Sequence, residues 1–158
     1  LNPSSDPLGA GYNLIQAMIS VGSGQFFGRG LGKGTQSQLA FLPERHTDFI
    51  FAAFSEELGF VGVLILLSLY FFLLWRILKV AQKTDQDFAR LFCLGIFTML
   101  LFQIFVNIGM NLGLVPITGI TLPFLSYGGS SILAMMICLG MIESIARFQK
   151  RQEAIEIK

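Results

Sequence analysis

Charge is scarce in this sequence. Asp, Glu, Lys and Arg make up 13% of the 158 residues, 53% are apolar, and the mean hydropathy is +0.66. A soluble domain of this size carries about 25% charged residues. From Leu58 to Trp75 there is no charge over 18 positions, long enough for a spanning helix. These features exclude a soluble domain and point to an all-α integral membrane protein. The net charge of +1 lacks the basic footprint that a nucleic-acid partner needs. Cysteine is limited to Cys93 and Cys138, both in apolar runs, without metal or redox spacing. They read as small helix residues. Trp75 is the one tryptophan beside 16 phenylalanines, a balance that suits lipid-facing helices. No basic n-region with an apolar h-region follows Leu1, so the chain does not read as a signal-peptide precursor. The C-terminal part of a longer protein is expected.

What is present falls into alternating polar and apolar blocks. Residues 1–57 read as one long loop region. Within it, Leu14, Ile15, Met18 and Ile19 share a face of a short amphipathic helix over Tyr12–Val21, stopped by Gly22-Ser23-Gly24. The run Gly28-Arg29-Gly30-Leu31-Gly32-Lys33-Gly34 lacks the preceding strand and the Gly-Lys-Ser/Thr ending of a nucleotide P-loop. Two readings stay open for it: amides and two cations meeting an anion, or a plain irregular loop. Spans are expected at 58–78, 91–112 and 130–147, with connections at 79–90 and 113–129 and a tail at 148–158. Pro116, Gly119, Pro123 and Gly128-Gly129 bar a helix from 113–129.

Basic residues orient the spans. The 79–90 connection with its flank holds Arg76, Lys79, Lys83 and Arg90, the tail with its flank holds Arg147, Lys150, Arg151 and Lys158, and 113–129 holds none. The positive-inside rule places the first two in the cytoplasm and the third outside. Residues 1–57 are then external, which excludes a cytosolic kinase or ATPase.

The densest chemistry is Glu44-Arg45-His46-Thr47-Asp48, just before the apolar Phe49–Phe54. Ionisable groups at a membrane boundary are costly and mark functional sites. Asp48, partly desolvated, suits a general base; alternatively Asp48 or Thr47 caps the entering helix. His46 and Asp48 share a face of an extended segment, but a structural metal site needs more ligands. Arg45 suits bidentate contact with a pyrophosphate, or a pair with Glu44 or Glu56. Glu56 and Glu57 read as interfacial helix-start charges. In 113–129, Thr121 and Ser126 are polar without useful ionisation. Asn107 and Asn111, inside a span, are expected to bond a neighbouring helix.

Two stretches together carry a family resemblance. Asn107 and the run Gly113-Leu114-Val115-Pro116-Ile117-Thr118-Gly119-Ile120-Thr121-Leu122-Pro123-Phe124-Leu125-Ser126-Tyr127-Gly128-Gly129-Ser130-Ser131 resemble the signature of the SEDS proteins (shape, elongation, division and sporulation). Gly34-Thr35-Gln36-Ser37-Gln38 and Phe41-Leu42-Pro43-Glu44-Arg45-His46-Thr47-Asp48-Phe49-Ile50-Phe51 are similar to the rod-shape branch of that family. The resemblance implies a ten-helix membrane fold, of which this chain supplies the last three spans. It implies a peptidoglycan glycosyltransferase at the outer face of the bacterial cytoplasmic membrane. The substrate would be lipid II, the undecaprenyl-pyrophosphate-linked disaccharide-peptide, used in cell elongation. The family's essential aspartate matches Asp48, as base of an inverting transfer. Lys33, Gln36, Glu44, Arg45, His46, Thr47, Thr121 and Ser126 are the candidate substrate-binding residues. A class B penicillin-binding protein is the implied partner. Mg²⁺ or another divalent cation is the implied candidate cofactor, without a dedicated protein metal site. A lipid-precursor flippase and a non-catalytic scaffold for the penicillin-binding protein are the alternatives.

Overall fold

The computed structural model describes residues 10–32 and 47–156, and among these it has four helices. They are α1 (Ala10–Ser23), α2 (Ile50–Lys83), α3 (Asp87–Asn111) and α4 (Gly129–Glu156), with no strand among the described residues. α2, α3 and residues Gly129–Gln149 of α4 are long and apolar enough to cross a membrane, with mean hydropathies of 2.5, 2.2 and 1.7. Only 22%, 33% and 11% of these windows are buried, so their apolar side chains mostly face outward. A soluble core would be inverted; this arrangement suits lipid or further helices.

The helices overrun the uncharged stretches for local reasons. α2 begins at Ile50 because 49–54 is itself apolar; the expected 58–78 span lies inside it, short of both ends. α3 starts at Asp87, whose carboxylate in the first turn favours the helix N-terminus. α4 continues past Arg147 into the charged tail, with Arg147 paired to Glu143 one turn back. α1 includes Gly22 and Ser23 instead of stopping before them; the Ser23 hydroxyl donates to the Ser20 carbonyl at 3.0 Å.

The chain divides into two compact units. The first comprises Leu1–Ser68 and Gln103–Tyr127. Its core gathers Ala17 of α1, Phe49 and Ala52, with Val21 and Ile117 packed against them. α1 therefore packs on protein through one side. Ile15 and Ile19 stay exposed.

In this unit α2 is broken at Gly59, whose φ of 65° and ψ of −164° are not helical. The loop after α1 fills the break. The amides of Phe60 and Val61 donate to the carbonyls of Gln25 and Phe26 at 2.9 and 3.1 Å, while those of Arg29 and Gly30 donate to Glu56 and Glu57 at 3.0 Å each. A broken helix at membrane depth is tolerated only when protein groups satisfy the freed backbone, and these four bonds do so. Glycine is required at the crossing. A Cβ on Gly59 would stand 2.2 Å from the Gly28 nitrogen, and one on Gly28 would stand 2.1 Å from the Glu57 carbonyl oxygen. The glycine-rich run is thus, at Gly28 and Gly30, a clamp on α2. Glu56, expected to be an interfacial charge, is instead fully buried.

The second unit comprises Leu69–Phe102 and Gly128–Lys158. Its buried side chains include Ile77, Ala81, Cys93, Leu100 and Ile142. The Thr84 hydroxyl donates to the Val80 carbonyl at 2.9 Å and accepts from the Gln149 side-chain amide, tying α4 to the end of α2.

Candidate functional site

Asp48 lies in the turn that feeds α2, and its position is set from outside that turn. Phe49 beside it is buried against Ala17 and Ala52, and the Ala53 amide bonds the Phe49 carbonyl at 3.2 Å. The backbone carbonyl of Asp48 accepts from the side-chain amides of both Asn107 and Asn111, each at 3.1 Å. The same Asn107 amide donates to the Ile120 carbonyl at 2.7 Å. Asn111 also bonds the Asn107 carbonyl at 2.8 Å. One residue earlier, the Thr47 carbonyl accepts from the Ser126 hydroxyl at 2.8 Å, and that hydroxyl accepts from the Leu122 amide at 2.8 Å. Asn107, Asn111 and Ser126 are each fully or nearly fully buried. Bonds of this kind are costly to leave half-made. The Asp48 backbone is therefore fixed to α3 and to the 112–128 loop.

The Asp48 side chain is half-buried. Its Oδ2 lies 3.6 Å from where a Cβ on Gly119 would stand. Gly119 has a φ of +67°, a conformation glycine adopts without strain, and the bare backbone there leaves room beside the carboxylate. Phe124, in the same loop, holds a φ of 63°, costly for a bulky residue and typical of segments fixed for function. Thr47 and Thr121 are half-buried.

The structure thus brings Thr47, Asp48 and Ser126 together by direct bonds, with Thr121 in the loop that holds them. Lys33, Gln36, Glu44, Arg45 and His46 lie outside the described residues. The distances put the asparagine amides on the main chain of the Asp48 turn and, through Asn107, of the 112–128 loop, where a bond to a neighbouring helix was expected. Two asparagines one turn apart in the uncharged stretch of α3 were the available signal. Among the described residues no three His, Cys, Asp or Glu side chains gather.

Beside the turn, and within the same unit, lies an apolar cavity of about 700 Å³. Val21, Phe26, Phe51, Val63, Leu67 and Ile108 line much of it. Phe51 and Ser55, also in its wall, stand one and two helical turns after Asp48.

Residues 1–151 match the FTSW_RODA_SPOVE family, described as "Cell cycle protein". The chain belongs to the FtsW/RodA/SpoVE family. A peptidoglycan glycosyltransferase of Escherichia coli K12, MrdB, is 51% identical over 150 residues, which cover 95% of this chain and 40% of that protein. Among solved structures, a chain described under "Structural coordination of polymerization and crosslinking by a peptidoglycan synthase complex" matches with a TM-score of 0.76 at 38% identity, over 93% of this chain and 39% of that one. The crystal structure of the Thermus thermophilus rod shape determining protein RodA matches with a TM-score of 0.58 at 38% identity, over 84% of this chain and 47% of that one. The chain spans about two fifths of the length of the curated relatives it matches. Membership in the FtsW/RodA/SpoVE family, with three helices apolar enough to span, makes this a multi-pass bacterial membrane protein.

Proposed function

We propose that this chain carries one wall of a glycosyltransferase site that polymerises lipid II into glycan strands, with Asp48 as the general base. The observation that carries the reading is the fixing of the Asp48 turn by Asn107, Asn111 and Ser126, with the carboxylate beside the bare Gly119 backbone. The relative named a peptidoglycan glycosyltransferase supports the reaction class.

The chemistry follows from the groups involved. The acceptor sugar hydroxyl holds its proton too tightly to attack unaided at neutral pH. Asp48 takes that proton as the hydroxyl oxygen bonds to the anomeric carbon of the donor. The bond from that carbon to the pyrophosphate oxygen breaks, and its electron pair leaves on the pyrophosphate. A positioned base of this kind contributes about 10²–10⁴-fold. The leaving group is already stable, so no general acid is needed. One displacement inverts the anomeric centre, unlike the two-step route of retaining glycosidases.

Substrate contacts are assigned by chemistry. Arg45 is assigned to the pyrophosphate, with Lys33 as a second cation. Gln36, Glu44, His46, Thr47 and Thr121 are assigned to contacts with sugar and phosphate, and Ser126 keeps the positioning role described above. The apolar cavity suits a stretch of polyprenyl chain. Any divalent cation would be held chiefly by the substrate's own pyrophosphate oxygens, as Mg²⁺ commonly is. The site faces outward across the cytoplasmic membrane, a class B penicillin-binding protein is the partner, and the process served is cell elongation. Similarity to a chain of a synthase complex that coordinates polymerization with crosslinking supports the partner, and the rod-shape name of the Thermus relative supports the process.

The test is reconstitution of the full-length protein with its partner in liposomes containing lipid II. Polymer in the wild type, with no requirement for lipid translocation, supports the reading. Translocation without polymer would make the protein a flippase, and neither activity would leave a scaffold.

A further inference from the structure

We propose that the second unit holds a binding site for the phosphodiester headgroup of an anionic phospholipid, built from Arg76, Lys79 and Lys83 of α2 and Arg147 of α4. These residues line one cavity of about 240 Å³, together with Glu143 and Gln149. None of them belongs to the Asp48 site.

The sequence sets up the α2 side. Positions 76, 79 and 83 follow the helical spacing that places side chains on one face. Phe72, one turn before Arg76, extends that face into apolar ground and is 57% exposed. Trp75 lies beside it, its ring centroid 6.0 Å from that of Phe72. The stripe therefore changes from aromatic to cationic within one turn, at the end of the uncharged run. Tryptophan and basic residues in that order mark the membrane–water interface. The Lys79 ammonium sits 3.7 Å over the Trp75 ring, which holds it at that depth.

Charge makes the cavity a site for an anion. Four cations face one carboxylate. That carboxylate, Glu143, is paired with Arg147 at 3.2 Å on an exposed helix face, with side-chain exposures of 58% and 79%. Such a pair is weak and screened, so Arg147 remains available. Arg76, Lys79 and Lys83 form no ion pair among the described residues. Like charges gathered on one concave wall repel unless an anion joins them. Arginine offers a phosphate a bidentate fork, and lysine a point charge. Basic pockets between membrane helices take lipid headgroups for this reason. Free phosphate has the same charge chemistry but no use for the Phe72–Trp75 shelf, along which an acyl chain can lie.

The experiment titrates the full-length protein, in a neutral detergent, with phosphatidylglycerol, phosphatidylcholine and inorganic phosphate separately, and counts bound molecules by native mass spectrometry. Phosphatidylglycerol is expected to bind at least tenfold tighter than phosphatidylcholine. The Lys79→Gln/Lys83→Gln variant should weaken it at least tenfold, and Lys79→Arg/Lys83→Arg should retain it. The charge-matched control Arg90→Gln/Arg151→Gln should change it less than twofold, with all three variants melting together. Equal losses in the glutamine variant and the control would overturn the proposal, since diffuse positive charge would then suffice. Inorganic phosphate binding as tightly as phosphatidylglycerol would also overturn it, by making the ligand a free anion.

Discussion

Two asparagine side chains decide where Asp48 stands. Asn107 and Asn111 direct their amide N–H groups at the Asp48 carbonyl, so removing either leaves a buried acceptor short of a donor. Such a loss costs about 1–3 kcal/mol. Asn111→Leu should lower the melting temperature of the full-length protein and reduce kcat roughly tenfold or more, with a small change in KM. The base would be misplaced while the substrate contacts remain. A weakened KM with kcat intact would assign Asn111 to the substrate instead. The polar character of these residues was legible, because amides in an uncharged stretch of helix stand out. Their partners were not, because a main-chain carbonyl leaves no mark in the sequence. Ser126 is a parallel case: it read as one hydroxyl among several, and its bonds to Thr47 and Leu122 depend on the path of the 112–128 loop.

At the scale of the element, α2 is the instructive case. An apolar run announces a spanning helix whatever its neighbours do, and that part was legible. The break was not. A lone glycine in an apolar helix reads as tolerated, and the groups that fill the break come from residues 25–30, far away in sequence. The clamp gives a sharp contrast between glycines of the same unit. Gly59→Ala forces a Cβ to 2.2 Å from the Gly28 nitrogen at a positive φ. It should destabilise the protein by about 3 kcal/mol or more, since a clash and a strained backbone conformation combine. Gly22→Ala meets nothing within 4 Å in a helix, and should be neutral or stabilise by up to about 1 kcal/mol. Thermal unfolding of both variants in detergent checks the pair; equal effects would contradict the clamp.

For the whole molecule, the alternation of charge and apolarity carries the topology, because the cost of burying backbone and charge in lipid leaves few alternatives. The proposed orientation puts Thr84–Gln86 on the cytoplasmic side and Leu114 outside. In a background lacking Cys93 and Cys138, a membrane-impermeant maleimide should label Leu114→Cys in spheroplasts and Asp85→Cys only after lysis. The reverse pattern would invert the protein and remove the outward-facing site. The catalytic claim itself meets its most direct test in polymer formation from lipid II by the purified full-length protein and its Asp48→Asn variant, which keeps shape and loses the base. Turnover should fall by about 10²-fold or more, with unchanged melting and partner binding. Wild-type turnover by Asp48→Asn would contradict the claim.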